Sequence, residues 1–200
     1  MKKNVASILV LFLVLFSINV MAMDRLITIP TADLVGGEGF IAGEILGSSY
    51  RQLEGSYNLN SALSIGGIIS SWDNNQESEL GVLAKTILVQ ETKDRPAISA
   101  GIRKKDLYFV TSKEVALGIR GHVGIGNGDF GGLFLGLNKV LNPVSISQGN
   151  KPSMPIINLM GEYANEEVNI GLRMNLQDNM KLDLGLLDFE DFKIGLGYLF

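Results

Sequence analysis

Apolar and polar residues alternate with a period of two along most of this chain. The run from Val168 to Leu176 is a clear interior case, and the run from Phe192 to Phe200 continues the pattern to the last residue. Successive side chains of a β-strand point to opposite faces, so this period predicts strands with one apolar face and one polar face. After Met23 we find no run with apolar residues at helical spacing. The pattern therefore predicts an all-β protein.

Turn-forming residues divide the alternating runs into about twelve strands. We place these strands at residues 39–47, 50–58, 61–70, 79–90, 96–104, 107–113, 115–125, 130–140, 155–164, 167–176, 180–187 and 192–200. Crossing an apolar band of about 25 Å at a tilt near 40° takes roughly 10 residues, which matches these lengths. The prediction is an antiparallel up-and-down transmembrane β-barrel of about 12 strands, within a range of roughly 10 to 12.

Two stretches break the alternation. Residues 24–35, DRLITIPTADLV, contain Pro30 and are interpreted as an extended segment leading into the first strand. Residues 142–155 form the longest connection and are rich in turn formers. We assign no strand to either stretch.

The beginning of the chain has the pattern of an export signal. Lys2 and Lys3 form a basic head, the run Val5–Val20 is almost wholly apolar, and Val20–Ala22 has the small residues of a cleavage site. We predict a signal peptide at residues 1–22 that is removed on export.

An uncleaved membrane anchor is the competing interpretation of this segment. Its apolar run is shorter than the roughly 20 residues that a spanning helix needs, and Ser17 and Asn19 interrupt it. After cleavage, residues 23–200 form a chain of suitable size for one barrel domain.

Composition excludes several classes of function. Without Lys2 and Lys3 the chain has 15 basic against 21 acidic residues, a charge near −6, so no basic surface favours nucleic acid. There is no cysteine, and therefore no disulfide framework or thiol nucleophile. We predict no cofactor and no enzymatic activity.

The polar faces of the predicted strands carry charged side chains that require an enclosed, polar or paired environment. The candidate lumen residues are Glu54, Lys85, Arg103, Arg120, His122, Glu162, Arg173, Lys181, Asp183 and Lys193. These residues fit a polar channel or a polysaccharide-binding interior. They also fit a salt-bridged network that plugs a narrow barrel, which is the interpretation we favour.

His122 is the only histidine, which excludes a metal site built from several imidazoles. A Ser-His hydrolase would have to use this residue, but no serine lies in a recognisable nucleophile context. In the alternation His122 shares a face with Arg120. We therefore predict a hydrogen-bonded lumen residue.

Loops carry weaker chemical signals. Residues 124–131, GIGNGDFG, have the glycine spacing of a dinucleotide-binding loop, but an alternating strand follows where that motif needs a helix, so we predict a hairpin. The acidic residues of 72–79 and 188–191 have the chemistry to hold a divalent cation. We interpret them as solvated hairpin tips and predict no metal site.

Aromatic residues fall mostly near the predicted strand ends, as in the interfacial girdle of a membrane barrel. They are Trp72, Tyr50, Tyr57, Tyr108, Tyr163 and Tyr198.

The apolar row at the C-terminus resembles a known assembly signal. Its residues are Phe192, Ile194, Leu196, Tyr198 and Phe200. A terminal aromatic residue on such a strand resembles the C-terminal signature of bacterial outer-membrane β-barrels. The resemblance implies an outer-membrane location, with membrane lipid and the barrel-assembly machinery as partners.

Several segments resemble the YjbH-like outer-membrane proteins. The matching segments are Pro30-Thr31-Ala32 before the first strand, Phe130–Phe134, Glu162-Tyr163, Asn169–Arg173 and Leu184–Asp188. This resemblance implies an outer-membrane β-barrel associated with exopolysaccharide production or export. It carries over no catalytic residue, and members with additional domains are longer than this chain.

The leading hypothesis is a non-enzymatic outer-membrane barrel that acts in exopolysaccharide export or cell-surface assembly, with polysaccharide or export proteins as partners. The first alternative is a pore for small solutes. The second is a secreted soluble β-sandwich that binds ligands at the cell surface. An outer-membrane enzyme comes last.

Overall fold

The computed structural model describes residues 24–73, 78–142, 155–177 and 179–200. The predicted signal peptide, part of the acidic loop 72–79 and most of the connection 142–155 lie outside these residues. Within the described residues, no helix is long and apolar enough to cross a membrane.

The described chain forms a closed β-barrel of twelve antiparallel strands. Each strand pairs with its neighbours in sequence, and β1 closes the barrel on β12. The strands are β1 Gly39–Leu46, β2 Tyr50–Asn60, β3 Leu63–Trp72, β4 Ser78–Val89, β5 Ala97–Lys104, β6 Asp106–Ala116, β7 Ile119–Gly126, β8 Gly132–Val140, β9 Ile156–Ala164, β10 Glu167–Gln177, β11 Met180–Leu187 and β12 Asp191–Leu199. The prediction of an up-and-down barrel with about twelve strands is confirmed.

One predicted turn is displaced. The sequence analysis placed it at residue 114, but β6 continues to Ala116 and the chain turns at Leu117 and Gly118. Gly118 has a φ of +69°, a conformation that glycine adopts without steric cost. Glu114 therefore belongs to the strand rather than to the turn.

The apolar side of the strands faces outward, as in a transmembrane barrel. On β12, Ile194, Leu196 and Tyr198 are 41%, 51% and 46% exposed, whereas Lys193 is 5% exposed. A β-sandwich would bury these apolar side chains between two sheets. The soluble-sandwich alternative is therefore wrong for this chain.

The two ends of the barrel differ in their connections. We call the end where β1 begins and β12 finishes the terminal mouth, and the opposite end the far mouth. The connections at the far mouth are residues 47–49, 73–77, 105, 127–131, 165–166 and 188–190, all short. β8 ends and β9 begins at the terminal mouth, with residues 141–155 between them in sequence.

Candidate functional site: the plugged lumen

Residues 24–36 fold back into the barrel and fill its lumen, and we call this segment the plug. It forms a narrow hairpin, with a bridge between Arg25 and Pro30 and a hydrogen bond of 2.9 Å from Leu26 N to Ile29 O. Arg25, Leu26 and Ile29 are at most 3% exposed. From the sequence, this segment is expected only to be an extended lead-in to the first strand. The structure places it inside the barrel.

The plug extends through much of the length of the lumen. Ala32 contacts the wall near the terminal mouth, where Ser99 Oγ donates to Ala32 O at 2.7 Å and Ala32 N donates to Ser112 Oγ at 2.8 Å. The hairpin tip at Ile27 lies near the far mouth, where Lys193 Nζ donates to its carbonyl at 2.6 Å.

The Glu162 carboxylate holds the tip of the plug. It accepts the backbone N–H groups of Ile27 at 3.0 Å, Thr28 at 2.8 Å and Ile29 at 3.3 Å. The Thr28 hydroxyl and the side-chain amide of Asn169 also donate to it. Successive N–H groups that converge on one point form a concave anion site, and here the anion comes from the barrel wall.

Three cationic side chains of the wall donate to backbone carbonyls of the plug. The hydrogen bonds run from Lys85 Nζ to Asp24 O at 2.6 Å and Asp33 O at 2.9 Å, from Arg173 to Arg25 O at 3.0 Å and Leu26 O at 2.9 Å, and from Lys193 to Ile27 O. These bonds satisfy carbonyl groups that have no place in a regular sheet.

Ion pairs add to these contacts. Arg25 of the plug pairs with Glu44 and with Glu54, whose carboxylate oxygen lies 2.9 Å from Arg25 Nη2. Arg103 also pairs with Glu54 at 2.5 Å. Glu44 was not among the candidate residues. Its strand, GFIAGEIL, does not alternate cleanly between apolar and polar residues ahead of Glu44.

The remaining candidates also lie on the lumen side. Arg173 pairs with Asp183 at 2.7 Å, and Lys181 is buried on the same strand as Asp183. His122 accepts the Ser112 hydroxyl at Nδ1 over 2.7 Å and donates from Nε2 to Asn138 Oδ1 at 2.9 Å, with the tautomer assigned from these partners.

Ser112 was missed as a partner of His122. It lies on β6, directly opposite His122 in the β6–β7 pairing. Because Ser112 Oγ accepts the Ala32 N–H, the chain from Ser112 through His122 to Asn138 orients an acceptor for the plug. Ser112 is 1% exposed beneath the plug. These hydrogen bonds hold the plug against the wall in the closed state.

Apolar side chains of the plug fit into sockets that wall glycines create. A Cβ atom at Gly136 would lie 2.5 Å from Leu26 Cδ1 and 2.7 Å from Ile29 Cδ1. A Cβ atom at Gly171 would lie 3.0 Å from Ile27. These distances are at or below the closest that real Cβ atoms approach other heavy atoms. The wall therefore complements the plug in shape as well as in charge.

The base of the plug is linked to the connection between β4 and β5. Arg120 donates to Asp33 at 2.7 Å and to Glu91 at 2.5 Å. Burial raises the pKa of Glu91, but hydrogen bonds from the Glu114 N–H and from Arg120 outweigh it, so the pKa lies below its usual 4.5.

A cavity of about 20 Å³ lies between the plug and the wall, bordered by Asp24, Lys85, Arg103 and Tyr108. That volume holds roughly one water molecule. Tyr108 points into the barrel and is 7% exposed, so its predicted place in an outer aromatic girdle is wrong.

The acidic loops lie only partly within the described residues. Among the residues that the structure describes, no group of three His, Asp or Glu side chains is placed to hold a metal ion. Asp188, Glu190 and Asp191 are exposed at the far mouth.

A closed barrel with an apolar exterior and a lumen filled by its own N-terminal segment defines a plugged transmembrane β-barrel. The solved structures similar to this chain include a KdgM porin, with a TM-score of 0.52, and a KdgM porin in complex with disordered oligogalacturonate, with a TM-score of 0.54. Each is 13% identical in sequence, and each comparison covers 81% of this chain and 98% of the porin. At this identity the likeness shows the fold alone.

No protein-family model and no curated protein sequence matches the chain. The structural neighbours are KdgM porins, which like the YjbH-like proteins are outer-membrane barrels.

Proposed function

We propose that this protein is a small-solute channel of the bacterial outer membrane, closed by a plug that leaves the lumen when the channel opens. The observation that carries the proposal is the seating of the plug. Its backbone is held by hydrogen bonds to wall side chains, and water can replace such bonds at a net cost of about 0.5 to 1.5 kcal/mol each, or somewhat more where the wall group is charged. A twelve-stranded barrel that accommodates a two-legged hairpin would be wide enough for a small solute once the hairpin leaves.

The outer surface supports the location. The alternating apolar row that ends at Phe200 faces outward on β12, with Phe192 56% exposed and Phe200 52% exposed. We expect membrane lipid to contact this row and the barrel-assembly machinery to recognise it. No nucleic acid partner is expected.

The pore is better supported than exopolysaccharide export. The structural neighbours are porins, and the plug occupies the lumen that a polymer would have to cross. The likeness to porins is also consistent with a protein that is not an enzyme. Export of exopolysaccharide rests on the YjbH-like resemblance alone.

A disulfide lock tests the channel. The chain has no cysteine, so Ala32→Cys and Ser112→Cys introduce a single pair, at positions joined by a hydrogen bond of 2.8 Å. We expect the reduced double variant to conduct in planar bilayers in brief openings. Oxidation should abolish the openings, and a reductant should restore them. The single Ala32→Cys variant is the control and should be insensitive to oxidant.

The absence of ion conductance from the reduced protein at all applied voltages would contradict the channel. Conductance that persists after the disulfide has formed would show that ions do not pass along the space that the plug occupies.

A further inference from the structure

The lumen wall carries an apolar patch among its polar side chains. Apolar side chains lie together on β6, β8 and β9 and in the short 3-10 helix Gly128–Phe130 before β8. They are Tyr108, Val110, Phe130, Phe134 and Met160. The strand order places β6 to β9 opposite β12, β1, β2 and β3, where Lys193, Glu44 and Glu54 carry charge.

The apolar side includes an aromatic cluster. Tyr108 and Phe130 are in edge contact, with ring centroids 5.5 Å apart, and the centroids of Phe130 and Phe134 are 5.7 Å apart. Leu26 and Ile29 of the plug belong to the same buried hydrophobic cluster as these rings. An occupant of the lumen therefore gains from an apolar surface on this side.

The plug places a carboxylate among wall cations. Lys85 Nζ donates to the backbone carbonyl of Asp24 at 2.6 Å, and Arg103 borders the same small cavity as Asp24 and Lys85. In the described structure Asp24 Oδ1 is buried and has no hydrogen-bond partner. Two wall cations thus lie beside a carboxylate oxygen that makes no hydrogen bond.

The carboxylate position adjoins the aromatic cluster. Asp24, Lys85, Arg103 and Tyr108 border the same small cavity. A carboxylate at this position would have cations on one side and the edge of the aromatic cluster on the other. When the plug is seated, Asp24 provides a carboxylate at this position, and Leu26 and Ile29 provide apolar side chains.

We propose that this region is a binding site for the carboxylate of an amphipathic acid, that is, a carboxylate attached to an apolar or aromatic body, and that Asp24 occupies it in the closed state. This inference rests on the proposed channel, since it assigns the class of solute that displaces the plug. The solute's carboxylate takes the place of Asp24, and its apolar body takes the place of Leu26 and Ile29 against the aromatic cluster.

A purely polar acid satisfies only half of this site. Its hydroxyl groups would meet Phe134 and Met160, and burying a hydroxyl without a hydrogen bond costs free energy. A neutral amide of the same shape would bring no negative charge to Lys85 and Arg103. The site therefore distinguishes phenylacetate from both galacturonate and phenylacetamide.

Calorimetric titration of the folded full chain in lipid nanodiscs tests the site. The ligands are phenylacetate, phenylacetamide and galacturonate. We expect only phenylacetate to bind measurably. Asp24→Asn removes the internal competitor and should tighten phenylacetate binding about tenfold. Lys85→Gln should weaken phenylacetate binding about tenfold, the effect of one charge-assisted hydrogen bond. Asp94→Asn, at an exposed residue, changes the net charge equally and should have no effect.

Equal binding of phenylacetamide would overturn the carboxylate site, and equal binding of galacturonate would overturn its apolar part. Tightening by Asp94→Asn as large as that by Asp24→Asn would assign the effect to overall charge and overturn the site. Because binding is measured without transport, phenylacetate binding in a protein that never conducts would support the site and contradict the channel. Conductance without phenylacetate binding would support the channel and contradict the site.

Discussion

Thr28 and Glu162 join the tip of the plug to the barrel wall, with Thr28 N donating to Glu162 Oε1 at 2.8 Å across 134 positions of sequence. The neighbouring N–H groups of Ile27 and Ile29 donate to the same carboxylate. Glu162 is 5% exposed, so water competes little for these bonds in the closed state. We infer that this contact is a main determinant of how long the channel stays closed.

Glu162→Gln should open the channel more often. The substitution replaces an acceptor carboxylate with an amide whose NH₂ group repels the N–H groups of the tip. Hydrogen bonds to charged groups contribute about 1.5 to 3 kcal/mol, so a loss of about 2 kcal/mol would lower the ratio of closed to open dwell times roughly thirtyfold. Single-channel recording measures this ratio. Glu190→Gln, at an exposed turn residue, is the matched control and should leave it unchanged.

Gly136→Val should displace the plug without altering any charge. The new side chain would occupy the socket of Leu26 and Ile29, and overpacking of this kind costs about 1 to 3 kcal/mol. Arg25 is buried in the closed state, so trypsin should cleave after it only when the plug has left. We expect faster cleavage at this site, measured by mass spectrometry.

Gly161→Val is the control for the socket, because a Cβ atom at Gly161 meets no atom within 4 Å. If both valine variants are cleaved at the wild-type rate, the seating of Leu26 and Ile29 contributes little to closure.

Leu196→Arg should destabilise the barrel in the membrane. Leu196 is 51% exposed near the middle of β12, on the face assigned to lipid, and an arginine at mid-bilayer costs about 2 to 4 kcal/mol. Refolding into lipid vesicles, followed by the mobility of boiled and unboiled samples on a detergent gel, measures the change. Leu196→Met keeps the position apolar and should refold like the wild type. Equal refolding of the arginine variant would contradict the assigned facing.

Acid should weaken the attachment of the plug base to the terminal mouth. The pKa of Glu91 lies below its usual 4.5, so the folded protein favours the ionised form. The stabilisation is complete above the unfolded pKa and is lost as the pH falls through the lower folded pKa. The unfolding temperature of the wild type should therefore fall as the pH is lowered through this range.

Glu91→Gln removes the titrating group, so its unfolding temperature should depend less on pH in that range. Asp94→Asn changes an exposed residue of the same connection and should keep the wild-type dependence. Parallel pH profiles for the wild type and Glu91→Gln would show that Glu91 does not couple to folding.

The sequence by itself determined the strands and their facing. A period of two assigns each side chain to one face, and one face must meet lipid when the other carries residues such as Glu54 and Arg173. This local rule predicted where β12 lies and which of its residues point outward. It failed at Leu117 and Gly118, where the alternation continues through the turn between β6 and β7.

Only the tertiary structure decided what fills the barrel. The plug has no periodic signal, since Pro30 and a short hairpin interrupt any alternation, and its partners lie far away in sequence. Glu162 and Lys193 reach the tip only because barrel closure places β9 and β12 around one lumen. The sequence supplied the charges, but their pairing with the plug rather than with solvent depends on contacts that the closed fold creates.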